Sequence, residues 1–204
     1  MDRMDRTLVI APHADDETLG CGMILQILNP VVVLVTSPQQ PEFSEAFIAS
    51  RKIQIERIRK EYGTVIELNL PSTRVELLMT IKSLIPLLTN KSYDSLLIPS
   101  SGDLHSDHKI VNEACMNISK ISRCCHIKTI MEYETLTESF RFIPDTYYCS
   151  KESEIQKKID RMSVYSSENV YPKNYRGIRE LARFRGMECG CEFAEAFNII
   201  RRIM

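Results

Sequence analysis

The order of its apolar runs restricts the fold of this chain more than any other feature. Strand-length runs rich in β-branched residues occur at 7–11 (TLVIA), 31–37 (VVVLVTS), 64–70 (TVIELNL), 95–100 (SLLIPS) and 126–134 (HIKTIMEYE). Helix-length segments at 17–28, 44–62, 74–88 and 104–121 separate them, the second closed by Gly63. A strand, a crossover helix and another strand, repeated, lay the strands parallel and put helices on the sheet's faces. The expected fold class is therefore α/β: a single Rossmann-like domain with a mostly parallel twisted sheet and helices on both faces. After residue 135 the pattern weakens to a late strand within 142–150, a charged helix over 151–166, and a helix followed by a terminal strand within 177–197. A chain of 204 residues, 44% hydrophobic, can bury one sizeable core, and no linker, repeat or low-complexity stretch divides it. One domain over 1–204 is expected.

Charge narrows the partners. With 26 Lys+Arg against 27 Asp+Glu, there is no bulk basic field to attract nucleic acid. A small-molecule substrate is the expectation, and association into a homo-oligomer is left open. No window reaches the roughly 18 apolar residues of a membrane span, and the first apolar stretch is too short for a signal peptide, so a cytoplasmic location is expected. Seven cysteines without a C-x-x-C pair point away from disulfides. The "CC" at 124–125 and "CGC" at 189–191 read as small buried hydrophobes rather than soft-metal ligands, because neighbouring strand residues face opposite ways.

The chemistry concentrates in two segments. "APHADDETLGCG", residues 11–22, follows the first strand and places Asp15 beside Asp16, two residues after His13. Either aspartate alone serves as a helix cap, but a cap needs only one, and adjacent carboxylates repel. A bound cation removes that penalty, and His and Asp suit a divalent ion such as Zn²⁺. The second segment, "SGDLHSDHKIVNEA" at 101–114, follows the fourth strand. There His105 and His108 share one face of a helix's first turn, with Asp107 between them and Asp103 placed to cap. Both segments fall at the carboxyl edge of the parallel sheet, where open α/β sheets bind ligands. Three of the chain's four histidines thus meet at one edge, while His126 opens a strand and reads as structural.

"PHADDETLGCG" with "GDLHSDH" resembles the LmbE-like / PIG-L family of metal-dependent de-N-acetylases, whose signatures are A-H-P-D-D-E and H-P-D-H. "SRKIQIERIRKEYG" is similar to that family's Arg-containing helix ending in Gly, and "RFRGMECGCEFAEAF" to its closing R-x-R-G...Y-A-E-A-F segment. The departures, "PHADDE", Ser106 for Pro and "GCGM", remove no chemical group. Gln54 in place of an acidic residue, and "YSS" at 165–167 without the family's Gln, bear on substrate details. The resemblance implies that His13, Asp16 and His108 hold Zn²⁺, or another divalent metal such as Fe²⁺, with a position left for water. It makes Asp15 the general base and His105 the stabiliser of the developing oxyanion, with Asp103 or Asp107 orienting or charging His105. Arg51, and with it Asp103, is placed toward the substrate, an N-acetyl amino sugar such as an N-acetylglucosamine conjugate. Two other classes compete. A dinucleotide-dependent oxidoreductase needs G-x-G-x-x-G at the first helix, where Gly20 and Gly22 are followed by Leu25 and the turn is crowded with anions that repel phosphate. A non-catalytic metal- or sugar-binding protein on the same fold would tolerate loss of these groups, all of which are present.

Overall fold

The computed structural model describes residues 6–28, 30–120, 122–136, 139, 141–165 and 175–203. Its elements run β1 (Thr7–Ala11), α1 (Asp16–Cys21), a 3-10 turn (Ile24–Gln26), β2 (Val31–Ser37), α2 (Glu45–Tyr62), β3 (Val65–Pro71), α3 (Leu77–Leu88), β4 (Ser95–Pro99), α4 (Ser106–Ile118), β5 (Thr129–Tyr133), β6 (Thr146–Ser150), α5 (Glu152–Val164), α6 (Tyr175–Cys189) and β7 (Phe193–Arg202). One sheet has the order β3-β2-β1-β4-β5-β7-β6. The first five positions pair in parallel, and β7 pairs antiparallel with both β5 and β6. The α/β class with helices on both faces is the observed one.

Side chains of β1 explain how the sheet is covered. Leu8 and Ile10 join Val33, Leu96 and Ile98 in a core beneath Leu84 and Leu88 of α3 and Val111, Ala114 and Ile118 of α4. Val9 and Ala11 point the other way, into a core with Cys21 of α1 and Ile55, Ile58 and Tyr62 of α2. Buried on both faces, such strands must be continuously apolar, which is why the runs are so legible. β1 and β4 are neighbours at the point where the strand order reverses, and the helices that follow them cover opposite faces, α1 one and α4 the other, the arrangement at which open α/β sheets hold ligands.

Several expectations need correction. The helix expected over 17–28 stops at Cys21 and resumes as the 3-10 turn. The cause is Glu195, whose buried carboxylate accepts the Met23 N–H at 2.7 Å and the Ile24 N–H at 2.8 Å and so draws both out of a helical ladder. His126 precedes β5 instead of opening it, with Nε2 3.1 Å from the Leu88 carbonyl oxygen. The expectation of no disulfide fails as well, since Cys149 and Cys191 are joined. Residues 189–191 are a turn, not a strand: α6 ends at Cys189, Gly190 takes a φ of +79° and the Cys191 N–H returns to the Gly186 carbonyl. The turn brings Cys191 back beside Cys149 of the edge strand. Of the cysteines expected to be buried, Cys124 is, but Cys125 is exposed and Cys189 and Cys191 are half-buried, while Cys21 and Cys115 are buried in the core. Among the described residues no helix is long and apolar enough to cross a membrane.

Candidate functional site

β1 ends at Ala11, and the turn that follows is unusual. Asp15 has φ 147°, a conformation costly for a residue with a Cβ. The turn is held from below by Glu17, which is fully buried. Its Oε2 accepts the Asp15 N–H at 3.1 Å, and its Oε1 accepts the hydroxyls of Thr18 at 2.6 Å and Tyr165 at 2.7 Å. Arg51 of α2 braces the outer side, donating to the Ala14 carbonyl and standing 3.8 Å from Asp15 Oδ2. In the sequence Glu17 marks only the start of a helix. An anionic residue facing the core at a first helical turn is the signal that points to this role.

Beyond β4, α4 begins at Ser106 with His105 as its N-cap, the Nδ1 of His105 accepting the Asp107 N–H at 3.1 Å. That bond leaves the neutral ring its proton on Nε2. One turn on, His108 is directed back toward β1.

Three atoms converge. Asp16 Oδ2 lies 3.3 Å from His13 Nδ1 and 3.1 Å from His108 Nε2, and the two nitrogens are 3.2 Å apart. A tetrahedral ion with bonds near 2.0–2.1 Å sets its ligand atoms roughly 3.3 Å from one another, so this triangle fits one face of a zinc-type coordination shell. The remaining nitrogen of each ring meets a carboxylate: His13 Nε2 is 3.0 Å from Asp107 Oδ2, and His108 Nδ1 is 2.9 Å from Asp103 Oδ2. Carboxylates in this position fix ring orientation in metal-binding histidines. Asp107 Oδ2 is itself held by the Thr73 N–H at 2.8 Å, a contact from the β3–α3 connection that the sequence did not suggest. Asp103 also accepts the His105 N–H and the hydroxyls of Thr135 and Ser139. It has no exposed surface. Asp103 is therefore buried against His108, and the Oδ2 of Asp107 faces His13. His105 remains beside the triangle, its ring 4.6 Å from that of His13 and 5.1 Å from that of His108.

The electrostatics separate the two adjacent aspartates. Burial alone would raise both, but His108 and His13 hold Asp16 below the ordinary carboxylate range. For Asp15, burial and the charge of Asp16 outweigh the opposing pull of Arg51 and His13 and push it up to about 7. Burial works against protonation of the two imidazoles, yet Asp107 and Asp16 carry His13 up to about 9, and Asp16 and Asp103 carry His108 up to about 10.

The family model for PIG-L, described as GlcNAc-PI de-N-acetylase, matches residues 8–119. No curated protein matches the chain significantly. Among solved structures, a conserved protein from Thermus thermophilus superposes with a TM-score of 0.79 at 20% identity, covering 98% of this chain and 97% of its own. The N,N'-diacetylchitobiose deacetylase of Pyrococcus horikoshii gives 0.78 at 17% identity, covering 97% and 84%. A 4-carboxy-2-hydroxymuconate hydratase from Pseudomonas putida KT2440 gives 0.73 at 15% identity, covering 98% of both chains. At these identities the likeness concerns the fold, and the hydratase makes plain that the fold alone does not choose the reaction.

Proposed function

Because the chain belongs to the PIG-L family, whose model spans more than half of it, we propose that it is a metal-dependent hydrolase that removes the acetyl group from an N-acetylated amino sugar. The observation that carries this reading is the triangle of His13 Nδ1, Asp16 Oδ2 and His108 Nε2, with Asp15 ionising near neutrality beside it. Two nitrogens and one carboxylate are the donor set of many catalytic zinc sites.

In this reading His13, Asp16 and His108 hold the ion, while Asp107 and Asp103 hold the two imidazoles. A bound divalent ion of the zinc type acidifies a water held against it and polarises the acetamide carbonyl. Asp15 accepts the proton of the attacking water, a task for which a carboxylate titrating near neutral pH is suited. As the carbonyl carbon becomes tetrahedral, His105 donates from Nε2 to the oxygen on which negative charge grows. The C–N bond then breaks, Asp15 returns its proton to the departing nitrogen, and acetate and the free amine leave. Arg51 keeps Asp15 in place from the α2 side.

The substrate class rests on the family description and on the deacetylase among the structural neighbours. N-acetylglucosamine and its small conjugates, N,N'-diacetylchitobiose among them, are the first compounds to assay. Acetate release by the metal-loaded protein, abolished by a chelator and restored by Zn²⁺ or Fe²⁺, is the expected result. Stoichiometric metal with no acetate from any N-acetyl sugar would favour a non-catalytic binding protein.

A further inference from the structure

A second cluster of ligand-type side chains lies on the β6 edge of the sheet, with β4, β5 and β7 between it and β1. It is built from three elements: Cys149 in β6, Cys189 at the last residue of α6, and Cys191 in the turn before β7. The three sulfurs lie within 4.8 Å of one another, Cys149 exposed and the other two half-buried. Cys149 and Cys191 form the disulfide, and Cys189 Sγ stands 3.8 Å from Cys149 Sγ. The turn is shaped to achieve this. The positive φ of Gly190 and the return bond from Cys191 N–H to Gly186 fold the C-G-C segment back on itself. A Cβ on Gly186 would press on the Cys191 carbonyl, so that approach also depends on a glycine.

We propose that the reduced Cys149–Cys189–Cys191 cluster is a second metal site, taking a thiophilic divalent ion of the zinc class through three thiolates, separate from the His13–Asp16–His108 centre. Thiolate bonds to zinc of about 2.3 Å put ligand sulfurs about 3.8 Å apart in a tetrahedron, the spacing Cys149 and Cys189 already have. Sulfur-only donors select soft ions, whereas the nitrogen and oxygen donors of the other centre do not. The cluster is open to solvent at Cys149, giving a reductant and an ion a path in and water the fourth position. The chemistry balances in two steps. A dithiol reductant gives two electrons and two protons, the Cys149–Cys191 bond breaks to two thiols, and the reductant departs as its own disulfide. The ion then displaces one proton from each of the three thiols. Oxidised, the same residues tie β6 to the α6–β7 turn covalently; reduced, the ion makes the tie.

Co²⁺ is the probe, because cobalt bound by thiolate gives intense sulfur-to-metal charge-transfer absorption that nitrogen and oxygen ligands do not. The full chain is reduced under anaerobic conditions, the reductant is removed, and thiols are counted in denaturant before titration. The count is expected to rise from the five free cysteines of the oxidised form to all seven. Reduced protein is expected to bind Co²⁺ with the charge-transfer band, displaced by Zn²⁺, and the oxidised protein to bind without it. Cys189→Ser and Cys149→Ser should each lose the band, while His13→Ala should retain it in full. A band lost in His13→Ala, a band undiminished in Cys189→Ser, no band in the reduced wild type, or a thiol count that stays at five after reduction each overturns the proposal. The deacetylase reading fails independently: without a His/Asp centre, the reduced wild type keeps the band but binds one equivalent of Co²⁺ instead of two.

Discussion

His108 sets its Nδ1 atom 2.9 Å from Oδ2 of Asp103 while its Nε2 faces Asp16. One imidazole thus connects a fully buried carboxylate to the centre. Asp103→Asn keeps the shape but replaces the anion, and a supporting carboxylate of this kind is typically worth about 10- to 100-fold in metal affinity. Competition against a chelating dye should record a loss of that size, with KM for saturated enzyme little changed. A KM increase with metal affinity intact would instead put Asp103 against the substrate.

Asp15 and Asp16 should answer differently to the same substitution. Asp15→Asn is expected to keep the metal and substrate binding while turnover falls about 10²- to 10⁴-fold, the usual cost of removing a general base. Asp16→Asn is expected to lose metal, because a neutral amide oxygen ligates poorly. Metal content and kcat measured side by side decide between this assignment and its reverse.

Metal uptake should depend steeply on pH. Without metal, His13 and His108 hold protons up to about 9 and about 10, above the ordinary value of 6.5. An ion needs both nitrogens neutral, so near pH 7 it must expel up to two protons. Affinity should climb steadily with pH through the neutral range and level off only once the higher of the two values is passed. Calorimetry in buffers of different protonation enthalpy counts the released protons; uptake with none released would contradict the ion-pair description of these histidines.

Arg51 is predicted to act through Asp15. Its charge lowers the Asp15 pKa against burial and the Asp16 charge. Arg51→Met should therefore move the acidic limb of kcat/KM to higher pH. A limb that stays in place while KM rises would assign Arg51 to the substrate instead.

Gly20 is a packing requirement of α1. A Cβ there would overlap the ring of Tyr133, which is fully buried and donates its hydroxyl to the Ile10 carbonyl. Gly20→Ala should destabilise the protein by about 1–3 kcal/mol or more, as overpacking does, despite the better helix propensity of alanine. A denaturant midpoint equal to wild type would show that the ring can move aside.

The sequence was most readable where a local pattern coincides with the final environment. β1, β2 and β4 are buried on both faces, so their apolar runs are unbroken. His105 and His108 sit one turn apart at the start of α4, and the same spacing that suggested a helix also put them together. What escaped was set by distant partners. Nothing near Asp107 in the chain says that its carboxylate meets His13, 94 residues away, and the N–H of Thr73. The break after α1 comes from a carboxylate more than 170 residues downstream. The Cys149–Cys191 bond depends on a turn read as strand.

That downstream carboxylate, Glu195, also imposes an order in time. It binds Lys158 at 2.8 Å as well as the two N–H groups after α1, and all of this is buried. A chain emerging from the ribosome amino end first therefore presents the Asp15–Asp16 turn early but must wait for β7 before the segment just beyond that turn finds its acceptors. Until then Met23 and Ile24 depend on solvent, and nascent chains halted short of β7 carry both the Asp15–Asp16 turn and the His105–His108 segment without the anchor that finishes the first of them.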